Sequence, residues 1–225
     1  MGQSTSVESA AKRSRARPNC MRERRLWQSG FRVVAGVDEV GRGPLAGPVT
    51  AAAVVIRPTS HPSWLRNVRD SKQLTAAARH CLATEIWVSS ESFGIGWASA
   101  GEIDDVGIVA ATARAMSRAL LQLSPAPEFV LIDGDRLLVR NHPAEAIVRG
   151  DESVASIAAA SILAKVARDT WMEQLAERFD GYGFAANKGY GTAAHLSALA
   201  ELGPTPQHRR TFAPLRQQLA LLPAR

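Results

Sequence analysis

Cysteine is scarce in this chain, which holds only Cys20 and Cys81. Two such residues build no disulfide framework and no metal-ligand spacing. A reducing, cytoplasmic setting is therefore the default. The five histidines are scattered without close spacing, which argues against a zinc centre. No run of about 18 apolar residues occurs, so no membrane span is expected. The first 25 residues are basic but lead into no apolar stretch, unlike a secretory signal. There are no internal repeats and no heptads.

A chain of 225 residues forms one domain or at most two. Hydrophobic residues at 46% against 21% charged place it among ordinary globular proteins. The charge is unevenly spread. Residues 1–25 net +5, residues 201–225 net +3, and the 175 residues between them net −2. Basic ends on a slightly acidic body suit a polyanion partner, with acid gathered locally at a metal site. Residues 1–26 carry no apolar period and read as a disordered basic arm. Residues 27–225 read as the folded domain.

The segment Val37-Asp38-Glu39-Val40-Gly41-Arg42-Gly43-Pro44 lies between two apolar runs, Val33 to Val37 and Val49 to Ile56. Strand, loop, strand is the natural reading. Neighbouring strand residues face opposite ways. Asp38 and Glu39 therefore share one site only if the backbone twists, which Gly41 and Gly43 permit. Arg42 between two glycines suits an anion such as a phosphate. The Gly-Lys-Ser/Thr ending of a Walker loop is absent.

Further along, Thr75 caps a helix through Glu85, and Phe93 to Ala98 is a short strand. Ser99 and Glu102 have capping-box spacing for a helix to about Leu123. Glu128 to Ile132 is a buried-type strand ending in Asp133-Gly134, and Val139 to Asn141 reads as a small extension. Ile147-Val148 runs into Gly150-Asp151. Residues 153–178 form a second long helix, its first half apolar nearly all round and hence buried. Lys165 and Arg168 mark where it becomes more exposed. Thr192 caps a final helix through Leu202, closed by Gly203 and Pro204. Strands alternate with helices after a hairpin, an α/β pattern with a mixed sheet and a small helical C-terminal segment.

Three apolar-to-acidic junctions recur, at Asp38, Asp133 and Asp151. Each has a plainer reading: a solvated turn for Asp38-Glu39, a turn for Asp133, a helix cap for Asp151. Asp135, Glu152 and Asp169 read as solvated or capping. Together, carboxylates converging from separate elements suit divalent metals with oxygen ligands. Two such ions roughly 4 Å apart clamp a phosphodiester for in-line attack by water.

Several segments in one order resemble type 2 ribonuclease H (ribonuclease HII). They are Gly36 to Gly43, Asp70-Ser71-Lys72, Glu102-Ile103-Asp104 with Gly107-Ile108 and Ala111-Thr112, Leu131 to Gly134, Gly150-Asp151 with Ile157 to Val166, Arg168-Asp169, Tyr182 to Phe184, Lys188 to Thr192, His195, and Gly203-Pro204 with His208-Arg209. The resemblance covers about Val33 to Phe212. It implies an RNase H-like fold with helices flanking a mixed central sheet, and two Mg²⁺ or Mn²⁺ ions. It implies a monomer with no membrane partner that cuts RNA–DNA hybrids and DNA duplexes holding single ribonucleotides. Cleavage is expected 5′ to the ribonucleotide, leaving a 5′-phosphate and a 3′-hydroxyl. Asp38, Glu39, Asp133 and Asp151 would be the metal-binding catalytic carboxylates. Gly41, Arg42 and Gly43 would read the 2′-hydroxyl and adjacent phosphate, the group that marks RNA. Tyr190 would pack on the following sugar, and Lys72 and Lys188 would touch phosphates.

The chain departs from the family pattern at Ser153, where Lys or Arg is common, at Asn187, where His is frequent, and at Phe179 and Gly181. A type 3 enzyme would carry a further N-terminal domain, for which the roughly 30 residues before the first strand are too few. A passive nucleic-acid binder has no use for clustered acids, which repel its ligand without metal. A small-molecule phosphatase leaves the Gly-Arg-Gly loop and the basic ends without a role.

Overall fold

The computed structural model describes residues 17–59, 62–68 and 74–216. Lys72 and most of the expected basic arm lie outside the described residues. The described chain forms a five-stranded sheet in the order β3-β2-β1-β4-β5. Strands β1 (Val34–Val40), β2 (Val49–Val55) and β3 (Ser92–Ala98) make an antiparallel meander. Strands β4 (Phe129–Asp133) and β5 (Ala144–Ile147) add on parallel to β1. The sheet is mixed, as the alternation of elements predicts. Among the described residues, no helix is long and apolar enough to cross a membrane.

Three longer helices cover the two faces. Helix α3 (Ala100–Leu120) lies on one face against Ala35, Val37, Ala51 and Ala53. Helices α2 (Ala76–Ser89) and α4 (Ala155–Arg178) lie on the other against Ala52 and Val54. Small side chains let the layers approach closely. A Cβ on Gly36 of β1 would fall 2.3 Å from the Ser156 carbonyl carbon of α4. Cβ atoms on Gly94 and Gly96 of β3 would meet the Ala119 and Ala115 carbonyl oxygens at 2.1 and 2.0 Å. The side-chain alternation of β1 then puts Asp38 on the α4 face with Gly36, and Glu39 on the α3 face with Val37.

The predicted caps form. The Ser99 hydroxyl accepts from the Glu102 N–H at 3.2 Å, and the Glu102 carboxylate accepts from the Ser99 N–H at 3.0 Å. Thr75 caps α2. The helix after Ser99 is interrupted at Gly107, whose φ of +79° is non-helical. Among the described residues, the other α-helices are α1 (Met21–Gln28), α5 (Phe184–Asn187) and α6 (Ala193–Leu202), the last capped by Thr192.

Three expectations change. The arm does not stay unstructured to residue 26, because Met21–Gln28 is helical. Glu23 inserts toward α4, where its Oε1 accepts from the Ser156 N–H at 2.9 Å and the Ser156 hydroxyl at 2.7 Å. A short polar-rich helix has little periodic signal, and a tertiary contact holds it. The strand beyond β4 is Ala144–Ile147, while Val139 packs as a buried core residue without forming a strand. Arg168 does not mark the exposed part of α4 but is fully buried.

Candidate active site

Strand β1 continues through the acids to Val40. Asp38 therefore sits inside a strand and is nearly buried, at 6% exposure. Its Oδ1 accepts from the Glu39 N–H at 2.7 Å, and the Ser161 hydroxyl of α4 also bonds its carboxyl. The parallel register pairs Val37 with Ile132, so Asp133 at the end of β4 comes beside Asp38. After β5 a tight turn, Gly150–Glu152, returns the chain to the same place. The Asp151 N–H donates to Asp133 Oδ1 at 3.3 Å. A Cβ on Gly150 would fall 2.7 Å from Ile157 Cδ1 and 3.3 Å from Asp133 Oδ1, so a side chain there would make the Ile157 tip give way.

Asp38, Glu39, Asp133 and Asp151 thus line one cavity of about 370 Å³, together with Val40, Ser161, Lys165 and Tyr190. Burial pushes the Asp38 carboxyl well above the usual carboxylate range, and Glu39, Asp133 and Asp151 add repulsion. Burial also raises Glu39, opposed by the Arg42 guanidinium, whose Nη1 lies 3.2 Å from Glu39 Oε1. The Lys165 ammonium is taken by Asp169 at 2.7 Å, so it does not neutralise the acids directly. Asp169 is itself buried rather than solvated. Among the described residues, no three His, Cys, Asp or Glu side chains close a ligand cage by themselves. The donor set still fits Mg²⁺ or Mn²⁺. It is all hard oxygen and mutually repelling, and such ions commonly take one or two carboxylates and complete their shells with water and substrate phosphate.

The Gly-Arg-Gly loop lies beside this cavity. Gly41 has φ +89°, and a Cβ there would strike the Arg168 side chain at 2.2 Å. Arg42 and Gly43 are exposed. A Cβ on Gly43 would sit 3.8 Å from the Tyr190 ring, and Tyr190 is 45% exposed. The structure thus brings the loop and the tyrosine together at the mouth of the carboxylate cavity. Lys188 is differently placed, with its ammonium 2.6 Å from Glu173.

Sequence reasoning assigns no role to Ser161, Lys165, the buried Arg168 and Arg209, or the His195–His208 pair. Arg168 donates to the carbonyls of Pro48, Lys188 and Ala46 at 2.9, 3.0 and 3.2 Å. Carbonyl partners leave no mark in a sequence, since every residue has one. A polar residue within an otherwise apolar helix, such as Ser161, is the one available signal.

Comparison with known proteins identifies the family. The family model described as Ribonuclease HII matches residues 35–215. A ribonuclease HII from Rhodospirillum rubrum is 54% identical over 189 residues, spanning 83% of this chain and 87% of the relative. The crystal structure of ribonuclease H2 from Pyrococcus horikoshii OT3 superposes with a TM-score of 0.69 at 26% identity, over 82% of this chain and 96% of that one. A structure of the PCNA:RNase HII complex from Archaeoglobus fulgidus gives 0.67 at 27% identity, over 80% and 95%. The match takes in the strand that carries Asp38, the β4 and β5 junctions, and the His208-Arg209 segment. A chain so matched belongs to the ribonuclease HII family and is a ribonuclease H endoribonuclease.

Proposed function

We propose that this protein cuts the phosphodiester 5′ to a ribonucleotide, both in RNA–DNA hybrids and at single ribonucleotides in duplex DNA, leaving a 5′-phosphate and a 3′-hydroxyl. The observation that carries this reading is the meeting of two unlike features. Four carboxylates line one cavity, and an exposed glycine loop and tyrosine stand at its mouth. When bound, Mg²⁺ or Mn²⁺ ions would supply an activated water and charge neutralisation at the scissile phosphate. Asp38, Glu39, Asp133 and Asp151 would hold them.

The chain's own groups do the rest. Ser161 keeps the Asp38 carboxyl oriented, and Arg42 holds Glu39. Gly43, lacking a side chain, lets a sugar come against the backbone, where a 2′-hydroxyl can bond an N–H. The Tyr190 ring offers a flat face to the next sugar, which reads its shape without reading the base. Lys188, whose ammonium gives one of its three donors to Glu173, would offer the others to a phosphate. The protein acts in the cytoplasm as a monomer, in ribonucleotide removal and RNA-primer clearance.

The test is a DNA duplex with one embedded ribonucleotide, incubated with and without Mg²⁺ or Mn²⁺. Metal-dependent incision 5′ to the ribonucleotide is expected. Tight binding without incision under either metal would sink the proposal.

A further inference from the structure

We propose that the adjacent residues His208 and Arg209 are positioning residues that set the Gly41–Gly43 loop and Tyr190 in one register for reading a ribonucleotide, an inference that rests on the proposed function above. Neither side chain faces the cavity. Both are buried, at 1% and 0% exposure.

Arg209 is held by carbonyls. It donates to Gly41 O at 2.6 Å, to Arg42 O at 2.9 Å, and to Gly47 O at 3.0 and 2.8 Å. In a planar trans peptide the C=O and the following N–H point to opposite sides. Drawing the Gly41 and Arg42 carbonyls inward therefore turns the N–H groups of Arg42 and Gly43 outward. Those are the two exposed residues of the loop. Five donors in a rigid fork suit Arg to this task, and a lysine ammonium cannot span the same three carbonyls.

His208 supports the other half. The Tyr190 carbonyl can only accept, so His195 Nδ1, 2.9 Å away, carries the hydrogen. His195 Nε2 is then an acceptor, and His208 Nε2, at 3.1 Å, must donate to it. His208 Nδ1 is left as an acceptor, and the Thr205 N–H donates to it at 3.0 Å. The run from Thr205 through both imidazoles to Tyr190 is consistent at each end, with both rings neutral.

The backbone ties the two halves together. Ala46 and His208 pair as an antiparallel bridge. The Arg209 N–H donates to Leu45 O at 2.8 Å, and the Leu45 N–H donates to Gly189 O at 2.8 Å. One dipeptide from the C-terminal segment thus fixes both the loop and the tyrosine.

A positioning role predicts a particular loss. Phosphate contacts spread over the surface survive small shifts of this loop. A single hydrogen bond to a 2′-hydroxyl does not, and a misplacement of about 1 Å can cost about 100-fold. The experiment uses the full chain, as wild type, Arg209→Lys and His208→Gln. Thermal melting reports folding. Affinity is measured for a duplex with one ribonucleotide and for the same duplex all in DNA, with Ca²⁺ as the only divalent cation.

In the folded variants, preference for the ribonucleotide duplex should fall about tenfold, with affinity for the DNA duplex kept. Wild-type preference retained in the folded variants, or equal weakening for both duplexes, overturns the proposal. So does unfolding of both variants, which would make the dipeptide part of the fold alone. The wild-type protein tests the site reading separately. If it shows no preference and no incision with Mg²⁺, that reading fails and takes this inference with it.

Discussion

The two halves of the site are built in opposite ways. Three of the four carboxylates, Asp38, Glu39 and Asp133, stand on strands at registers set by the sheet, and Asp151 stands on the short turn that leads into α4. The loop and Tyr190 stand on irregular backbone, held by buried Arg168, Arg209 and a histidine pair through hydrogen bonds. One half is set largely by register and is electrostatically repulsive. The other is polar and dependent on a few buried donors. The fold thus places charge by strand register, where position is most certain. It places backbone donors by turning peptides with buried arginines.

The largest effect expected is at Asp38. Asp38→Asn should cut metal-dependent incision by well over 100-fold, since even groups supporting a metal ligand typically cost about 10–100-fold. The same substitution should raise the melting temperature of the metal-free protein at neutral pH. The folded Asp38 value lies above its unfolded one. Its stabilising contribution is therefore complete below the unfolded range and is lost as pH rises through the folded value. Lower activity together with lower stability would break the contrast between the two halves.

Next is the packing beneath the carboxylates. Gly36→Ala would push a methyl into the Ser156 backbone. Overpacking of this kind costs about 1–3 kcal/mol. Denaturant unfolding should show that loss, and a stability within error of wild type would mean that α4 can slide. A matching pH effect belongs to the polar half. Burial, and then His195, lower His208 from 6.5 to about 4. Stability from the neutral ring is complete above 6.5 and is lost as pH falls toward 4. Melting temperature should fall through that window, and His208→Gln should flatten the decline.

The smallest effect expected is at Ser153, exposed on the turn after Asp151. Ser153→Lys should lower KM with little change in kcat and steepen the salt dependence of binding by about one unit of log–log slope. An unchanged slope would show that no phosphate passes there.

Much of the carboxylate half is legible in the amino-acid sequence. An apolar β-branched run ending in acid, three times over, is a local pattern, and the register that joins the runs follows from strand pairing. The Ser99 and Thr192 caps are legible too, because a cap is set by residues three apart. The polar half is not. Arg168 reads as the start of an exposed face, because a charged residue on a helix is usually solvated. Only the tertiary structure shows the loop and Lys188 carbonyls that make its burial possible. Lys188 likewise reads as free for phosphate, whereas the fold sets Glu173 beside it from 15 residues away in sequence.

By itself, then, the sequence determined the strand–acid junctions, the Thr75, Ser99 and Thr192 helix caps and the family, while α1 and the place of β5 came only from the fold. Alternation, capping and composition act over a few residues and leave a pattern there. The tertiary structure decided which buried cation holds which carbonyl and which acid takes which lysine. Those partners are backbone groups common to every residue, or side chains brought near only by the packing of the whole chain.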